Sequence, residues 1–334
     1  MIAFVEILRA IATAFVANSH FKGVYPYDFF SFGGGFGLAL FYMISGYLLA
    51  DINEHTHFSN WYLKKIFRLY IPLLLFRIVE VGSGFLQLDT VKKAIMYLIF
   101  PASWFVASMV ILYPLYFLFV KYLYQRYEEK SLKIGFIVFA VAFVALSITK
   151  LPIAMFSLQS LAIEEKFSIE TPYLITQFIW MSCMLLGLYI RKNMAIKKIK
   201  RSVSVLYLGL SIFGVVLFLV VRLLTANGAN VKIEILLVPA YMGFAYFLFT
   251  FFMGYEHVCK KFLNSILGKI VVIVSKCSLE IYYVQFIWVK NLKDIMFPLN
   301  LVLLVIAIVL TAWLLHMVSN FLYMNLTGGS KKND

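Results

Sequence analysis

Long apolar runs separated by short polar segments repeat along the whole chain. The runs occupy roughly 2–21, 33–51, 68–86, 102–122, 134–149, 172–190, 204–223, 235–253, 267–289 and 298–322. Most of them approach the ~20 residues that a helix needs to cross a bilayer. The pattern predicts an all-α fold: a polytopic integral membrane helix bundle of about ten transmembrane helices. The stretch around 93–101 reads as a short extra helix or a lead-in to the fourth run. Residues 1–325 are expected to form one transmembrane domain, and 326–334 a short polar tail. No internal repeat is visible, and the longest expected loop, about 150–171, is too short for a domain.

Composition agrees with this pattern. Hydrophobic residues make up 63% of the 334 and charged residues only 14%, and the mean hydropathy is +0.89. A water-soluble domain needs far more polar surface. The net charge of +14 falls mostly between apolar runs, so it speaks for membrane topology rather than for nucleic acid. With the N-terminus inside, the inner segments hold roughly twice as many lysines and arginines as the outer ones, including the cluster at 191–201. Both termini are therefore expected in the cytoplasm. Ala17-Asn18-Ser19 offers small residues for leader cleavage. The first run, however, lacks a basic start and is interrupted by Glu6 and Arg9, so no secretory leader is expected. Cys183, Cys259 and Cys277 are scattered and form no disulfide or zinc framework.

Ionisable groups inside apolar runs are costly and tend to face a bundle interior or a wet cavity. Arg9, Arg77 and Lys276 are the basic ones; Glu6, Glu80 and Glu280 are the acidic ones. Arg9 and His20 are eleven residues apart, which places them on one helix face, about 16 Å apart along the axis. The face carries a cation at one depth and an imidazole at another. Equally, Arg9 can snorkel and pair with Glu6, and His20 can be an interfacial residue without a role. Gly33-Gly34-Gly35-Phe36-Gly37 leads into Phe41-Tyr42-Met43-Ile44-Ser45-Gly46-Tyr47. The glycines fit close helix packing, or a narrow mouth beside His20. Lys64, Lys65 and Arg68 lie within about one helical turn; they suit either phosphate groups or lipid headgroups. Arg77 and Glu80, at i and i+3, are expected to pair and remain candidates to line a channel. Glu54-His55-Thr56-His57 reads as a loop with surface histidines, and His316 as structural or interfacial. No G-x-S-x-G elbow is present, no histidine is followed five residues later by aspartate, and no metal is expected.

Taken in order, these stretches resemble the membrane-bound acyltransferase-3 family of bacterial O-acyltransferases. The matches are Arg9 and His20 as an R-x10-H pair, the stretch 41–47 as F-x-x-x-S-G-Y, and Lys65-Ile66-Phe67-Arg68 as a K/R-x-x-R motif ahead of Tyr70-Ile71-Pro72. Ser103-Trp104-Phe105-Val106 looks like the tryptophan-bearing start of the fourth span. The motifs lie within residues 1–120, and beyond that the ten-helix architecture carries the likeness. Ser278-Leu279-Glu280-Ile281-Tyr282 resembles a late S-x-x-x-Y stretch, after which Gln285 stands where relatives often have histidine.

The resemblance implies a membrane O-acetyltransferase. It would move an acetyl group from cytosolic acetyl-CoA to a hydroxyl of a bacterial surface polysaccharide (capsule, exopolysaccharide or O-antigen) or its lipid-linked precursor. It implies His20 as general base, Arg9 stabilising negative charge on the donor, and Lys64, Lys65 and Arg68 holding CoA phosphates. Tyr42, Ser45, Trp104, Arg77 and Glu80 would line the substrate channel. The implied setting is the bacterial cytoplasmic membrane, with acyl-CoA, a glycan or lipid-linked oligosaccharide, membrane lipid and polysaccharide assembly machinery as partners and no nucleic acid. The rival reading is a polysaccharide flippase whose intramembrane charges line a pathway; a glycan polymerase would need a larger outer loop.

Overall fold

The computed structural model describes residues 2–85, 90–91, 104–150, 171–194, 201–228 and 231–327. The expected loop at 150–171, the segment at 93–101 and most of the C-terminal tail lie outside the described residues. Among the described residues the chain is helical, without a strand. The helices are α1 (Ala3–Ser19), α2 (Gly34–Leu48), α3 (Phe58–Gly82), α4 (Trp104–Leu118), α5 (Gln125–Lys150), α6 (Thr171–Asn193), α7 (Arg201–Ala226), α8 (Leu237–Gly254), α9 (Glu256–Leu263), α10 (Ile266–Lys276), α11 (Ser278–Leu292) and α12 (Leu299–Leu326). Short 3₁₀ turns precede α2 and α8, and a π turn, Phe119–Tyr124, joins α4 to α5.

Five helical segments among the described residues are long and apolar enough to cross a membrane, or six if the bent pair α10–α11 is one span. At 17 residues α1 is shorter, and α3 carries Lys64, Lys65, Arg68, Arg77 and Glu80 along its length.

Two elements depart from the hydropathy pattern. The apolar run expected from 68 begins as a helix at Phe58, because the helix continues through the basic turn that hydropathy reads as loop. Its Pro72 has no N–H to offer, so the Arg68 carbonyl loses its helical partner. The run expected at 267–289 is broken: α10 and α11 meet at 82° around Cys277. Cys277 N–H still donates to Ile273 O, and Cys277 O accepts from Ile281 N–H, so backbone bonding is nearly continuous through the bend. Side chains on its two sides have different partners. Ser275 donates to Glu6 on α1, and Glu280 accepts from Ser319 on α12. Lys276, at the C-terminal turn of α10, is exposed and suits the negative end of that helix.

The chain divides into two compact units. One comprises Met1–Gly37, Thr56–Tyr113 and His257–Asp334; the other comprises Leu38–His55 and Pro114–Glu256. In the first unit α1 packs on α10 and α11, and α11 and α12 pack on each other and on α3. Here the glycine stretch is a packing device. A Cβ on Gly37 would stand 2.5 Å from Ala12 O, and one on Gly34 would stand 2.8 Å from Ser19 Oγ. In the second unit α7 packs on α8 and α5 on α6. The close crossing there joins α2 and α6: a Cβ on Gly46 would meet Met184 O at 2.0 Å, and one on Gly187 would meet Met43 O at 2.1 Å.

Candidate functional site

The first unit assembles a polar line along one face of α1. Near its N-terminal end the Arg9 guanidinium lies 3.6 Å from the Glu6 carboxylate. Glu6 is buried and also accepts the Ser275 hydroxyl of α10. Arg9 is in electrostatic range of Arg68 on α3 and of Tyr113 on α4. The Tyr113 ring meets Trp61 edge-on at 6.1 Å, and Lys65 Nζ lies 6.0 Å from the Trp61 ring centre. Tyr62 OH donates to Val110 O at 3.0 Å, tying α3 to α4 at the same level. Lys64 and Arg68 are exposed and Lys65 half-buried. Arg68, at the end of the K/R-x-x-R turn, is thus within electrostatic range of Arg9, which sequence spacing does not show.

His20 directly follows the last turn of α1, and its N–H closes that turn on Ala17 O at 3.0 Å. Its imidazole is half-buried and set among aromatic edges: Phe286 at 4.8 Å and Tyr282 at 6.1 Å between ring centres. Tyr282 in turn meets Phe105 at 5.7 Å. No hydrogen bond from a described residue reaches the ring, so no carboxylate fixes its tautomer.

Arg77 Nη1 donates to Glu80 Oε2, making a part-buried ion pair on α3. Nearby, Tyr283 of α11 stacks on Phe76 and donates to Leu69 O. Trp104 opens α4, but its side chain lies outside the described residues. Tyr42 and Ser45 belong to the second unit. There Tyr42 is fully buried and stacked on Trp180 at 5.2 Å, and Ser45 is half-buried. His55 and His57 are exposed. Among the described residues no three His, Cys, Asp or Glu side chains are grouped to hold a metal ion.

Three features escape sequence reasoning. One is the Ser275–Glu6 bond. Another is a part-buried cluster on α11 and α12, where His316 Nδ1 lies 2.8 Å from Glu280 Oε1 and Ser319 donates to the same oxygen at 3.2 Å. An acid inside an apolar run signals a partner, but not which one. The third is the complete burial of Gln285, one position before Phe286; the sequence shows only that it replaces a histidine frequent in relatives. An apolar cavity of about 560 Å³ also borders α1, lined by Ile11, Ala14, Phe15 and Asn18 and by Val305 and Val309 of α12. These α1 residues lie on roughly the opposite face from Arg9 and His20, while Thr13 and Ala17, which also line it, extend it toward their side.

Helices across the described residues, several of them apolar enough to span a bilayer, with Glu6, Glu80 and Glu280 buried among them, mark a multi-pass membrane protein. The family model described as an acyltransferase domain matches residues 2–317. The chain belongs to the acyltransferase-3 family and is a membrane acyltransferase. No curated protein and no solved structure matches it.

Proposed function

We propose that the protein moves an acetyl group from cytosolic acetyl-CoA to a hydroxyl of a bacterial surface polysaccharide, whether capsule, exopolysaccharide or O-antigen, or of its lipid-linked precursor. In this reading it sits in the cytoplasmic membrane with about ten spans and both termini in the cytosol, beside the machinery that assembles the polysaccharide. The carrying observation is the line on α1: Arg9 lies within electrostatic range of Arg68 at one end, and at the other the His20 imidazole, with no hydrogen bond from a described residue, lies against two aromatic rings.

Lys64, Lys65 and Arg68 fit the phosphates of CoA. They sit within one turn, two of them exposed to solvent, and a guanidinium grips phosphate oxygens in pairs. Arg9 adds a cation deeper along the same path. Lying about 16 Å from His20, it neutralises charge on the donor's phosphate-bearing half, and the extended pantetheine arm carries the thioester toward His20. There the imidazole takes the hydroxyl proton as the hydroxyl oxygen attacks the thioester carbon. The new C–O bond forms, the C–S bond breaks, and the leaving thiolate recovers the proton from the imidazolium. A base of this kind contributes about 10²–10⁴ in rate.

The test is acetylation of the polysaccharide in a gene-deletion strain complemented with wild-type or His20→Ala protein. Loss of O-acetyl groups on deletion, restored by wild type alone, is the expected result. Full acetylation with His20→Ala would remove the proposed base, and an unchanged polysaccharide in the deletion strain would remove the function.

A further inference from the structure

Gln285 stands apart from its neighbours on α11. It is 0% exposed, and neither Nε2 nor Oε1 has a hydrogen-bond partner among the described residues. Three other polar side chains along this helix are matched. Glu280 is bonded by His316 and Ser319, Tyr283 donates to Leu69 O, and Trp288 Nε1 donates to Thr311 Oγ1 at 3.0 Å. A buried amide stripped of water on both its donor and its acceptor side is destabilising unless something else bonds it.

Its place on the helix says where that partner would be. Gln285 follows Tyr282 by three residues, about 60° around the axis, and immediately precedes Phe286. Those two rings are the ones whose edges meet His20, at 6.1 and 4.8 Å. The amide thus shares the half of α11 that faces the imidazole.

The chemistry of the amide narrows the ligand. It offers N–H donors and a carbonyl acceptor together. A thioester carbonyl only accepts and would leave Oε1 unmet; a cation would leave the NH₂ unmet. A hydroxyl both donates and accepts, and adjacent hydroxyls on a sugar ring satisfy both ends of a carboxamide. We infer that Gln285 recognises the acceptor sugar, binding hydroxyl groups next to the one that His20 deprotonates. This inference rests on the acetyl-transfer reading and adds to it a specificity-determining residue. A site built to hydrogen-bond a hydroxyl discriminates strongly against ligands that lack it.

The experiment uses full-length protein in phosphatidylethanolamine–phosphatidylglycerol vesicles, radiolabelled acetyl-CoA, and surface polysaccharide extracted from the gene-deletion strain as acceptor. Gln285→Met keeps the volume and removes both polar atoms; Gln285→Glu keeps the shape and removes the donors. In both variants the KM for polysaccharide should rise at least tenfold while the KM for acetyl-CoA stays within twofold. The melting temperature of Gln285→Met should not fall, because a lone amide has become a thioether. An unchanged KM for polysaccharide would overturn the inference, since a buried water would then serve the amide. An equal rise in both KM values with a lower melting temperature would overturn it as well, in favour of a packing role. Wild-type protein that transfers no acetyl to this extract would instead overturn the acetyl-transfer reading, and the acceptor role with it.

Discussion

The two ends of α1 are finished differently. Toward its N-terminus Glu6 is matched by Arg9 and by the Ser275 hydroxyl, and Arg9 sits in the field of Arg68. Just past its C-terminus the half-buried His20 meets the edges of two aromatic rings, and Gln285, on the helix that carries both rings, has neither end of its amide bonded among the described residues. The Ser275 bond ties α10 to α1, and removing Arg9 would leave the buried Glu6 without its counter-charge. Unmatched polar groups in a dry setting contribute little to holding anything and stand ready for a ligand. The difference marks the His20 end as the one with polar groups left open, without reference to motif.

Five tests press on that contrast. The largest effect is expected at the unmatched end. His20→Ala should lower acetyl transfer by about 10²–10⁴-fold with little change in melting temperature, measured by radiolabel transfer in vesicles; retained activity would break the contrast at its centre. At the matched end Arg9→Met should cost about 3 kcal/mol by stranding Glu6. Arg9→Met combined with Glu6→Gln should recover most of it, and a double variant no more stable than the single one would show that an unpaired Glu6 carboxylate is not the source of the loss. His316→Ala probes a matched cluster away from α1. It should cost about 1–3 kcal/mol by leaving Glu280 with Ser319 alone, without changing either KM. Arg68→Ala should raise the KM for acetyl-CoA about fivefold, an effect that shrinks as ionic strength rises.

The smallest effect is expected at the exposed bridge of the second unit. There Arg191 Nη2 and Lys192 Nζ reach Asp51 at 2.9 and 3.2 Å. Burial alone would raise the Asp51 carboxyl, but hydrogen bonds from Arg191 and Lys192 outweigh it and hold the group below its ordinary value. A lowered carboxyl contributes stability above the usual carboxylate range of about 4 and loses it as pH falls through the folded value. Asp51→Asn should therefore cost less than about 1 kcal/mol near neutral pH and nothing in strong acid; melting curves at the two pH values check the sign.

Much of the helical layout is legible in the chain because apolar runs near bilayer length leave little else for the backbone to do. The Glu6–Arg9 and Arg77–Glu80 pairs are legible too, since residues three apart on a helix are neighbours. So is the close packing at Gly34 and Gly37. The bend at Cys277 is not: residues 267–289 are apolar on both sides of it, and the hydrogen-bonding partners of Ser275 and Glu280 lie far away in sequence. The same distance hides His316, 36 residues from Glu280. Arg68 is visible as a phosphate candidate, but its approach to Arg9 depends on how α1, α3 and α4 pack. Gln285 is visible only as a substitution; its unbonded state is a property of the packed helix.

The unbroken helix from Ala3 to Ser19 has one more consequence, for how such a sequence can drift. Three helical turns take about 10.8 residues, so positions 9 and 20 stay aligned because eleven steps separate them. One residue inserted between them would rotate His20 by about 100° relative to Arg9 and lift it by about 1.5 Å, taking it off the rings of Tyr282 and Phe286. Ile11 can become leucine, or Ala14 valine, and the face survives. The interval itself cannot be edited: along this stretch the gene can vary in spelling but not in length.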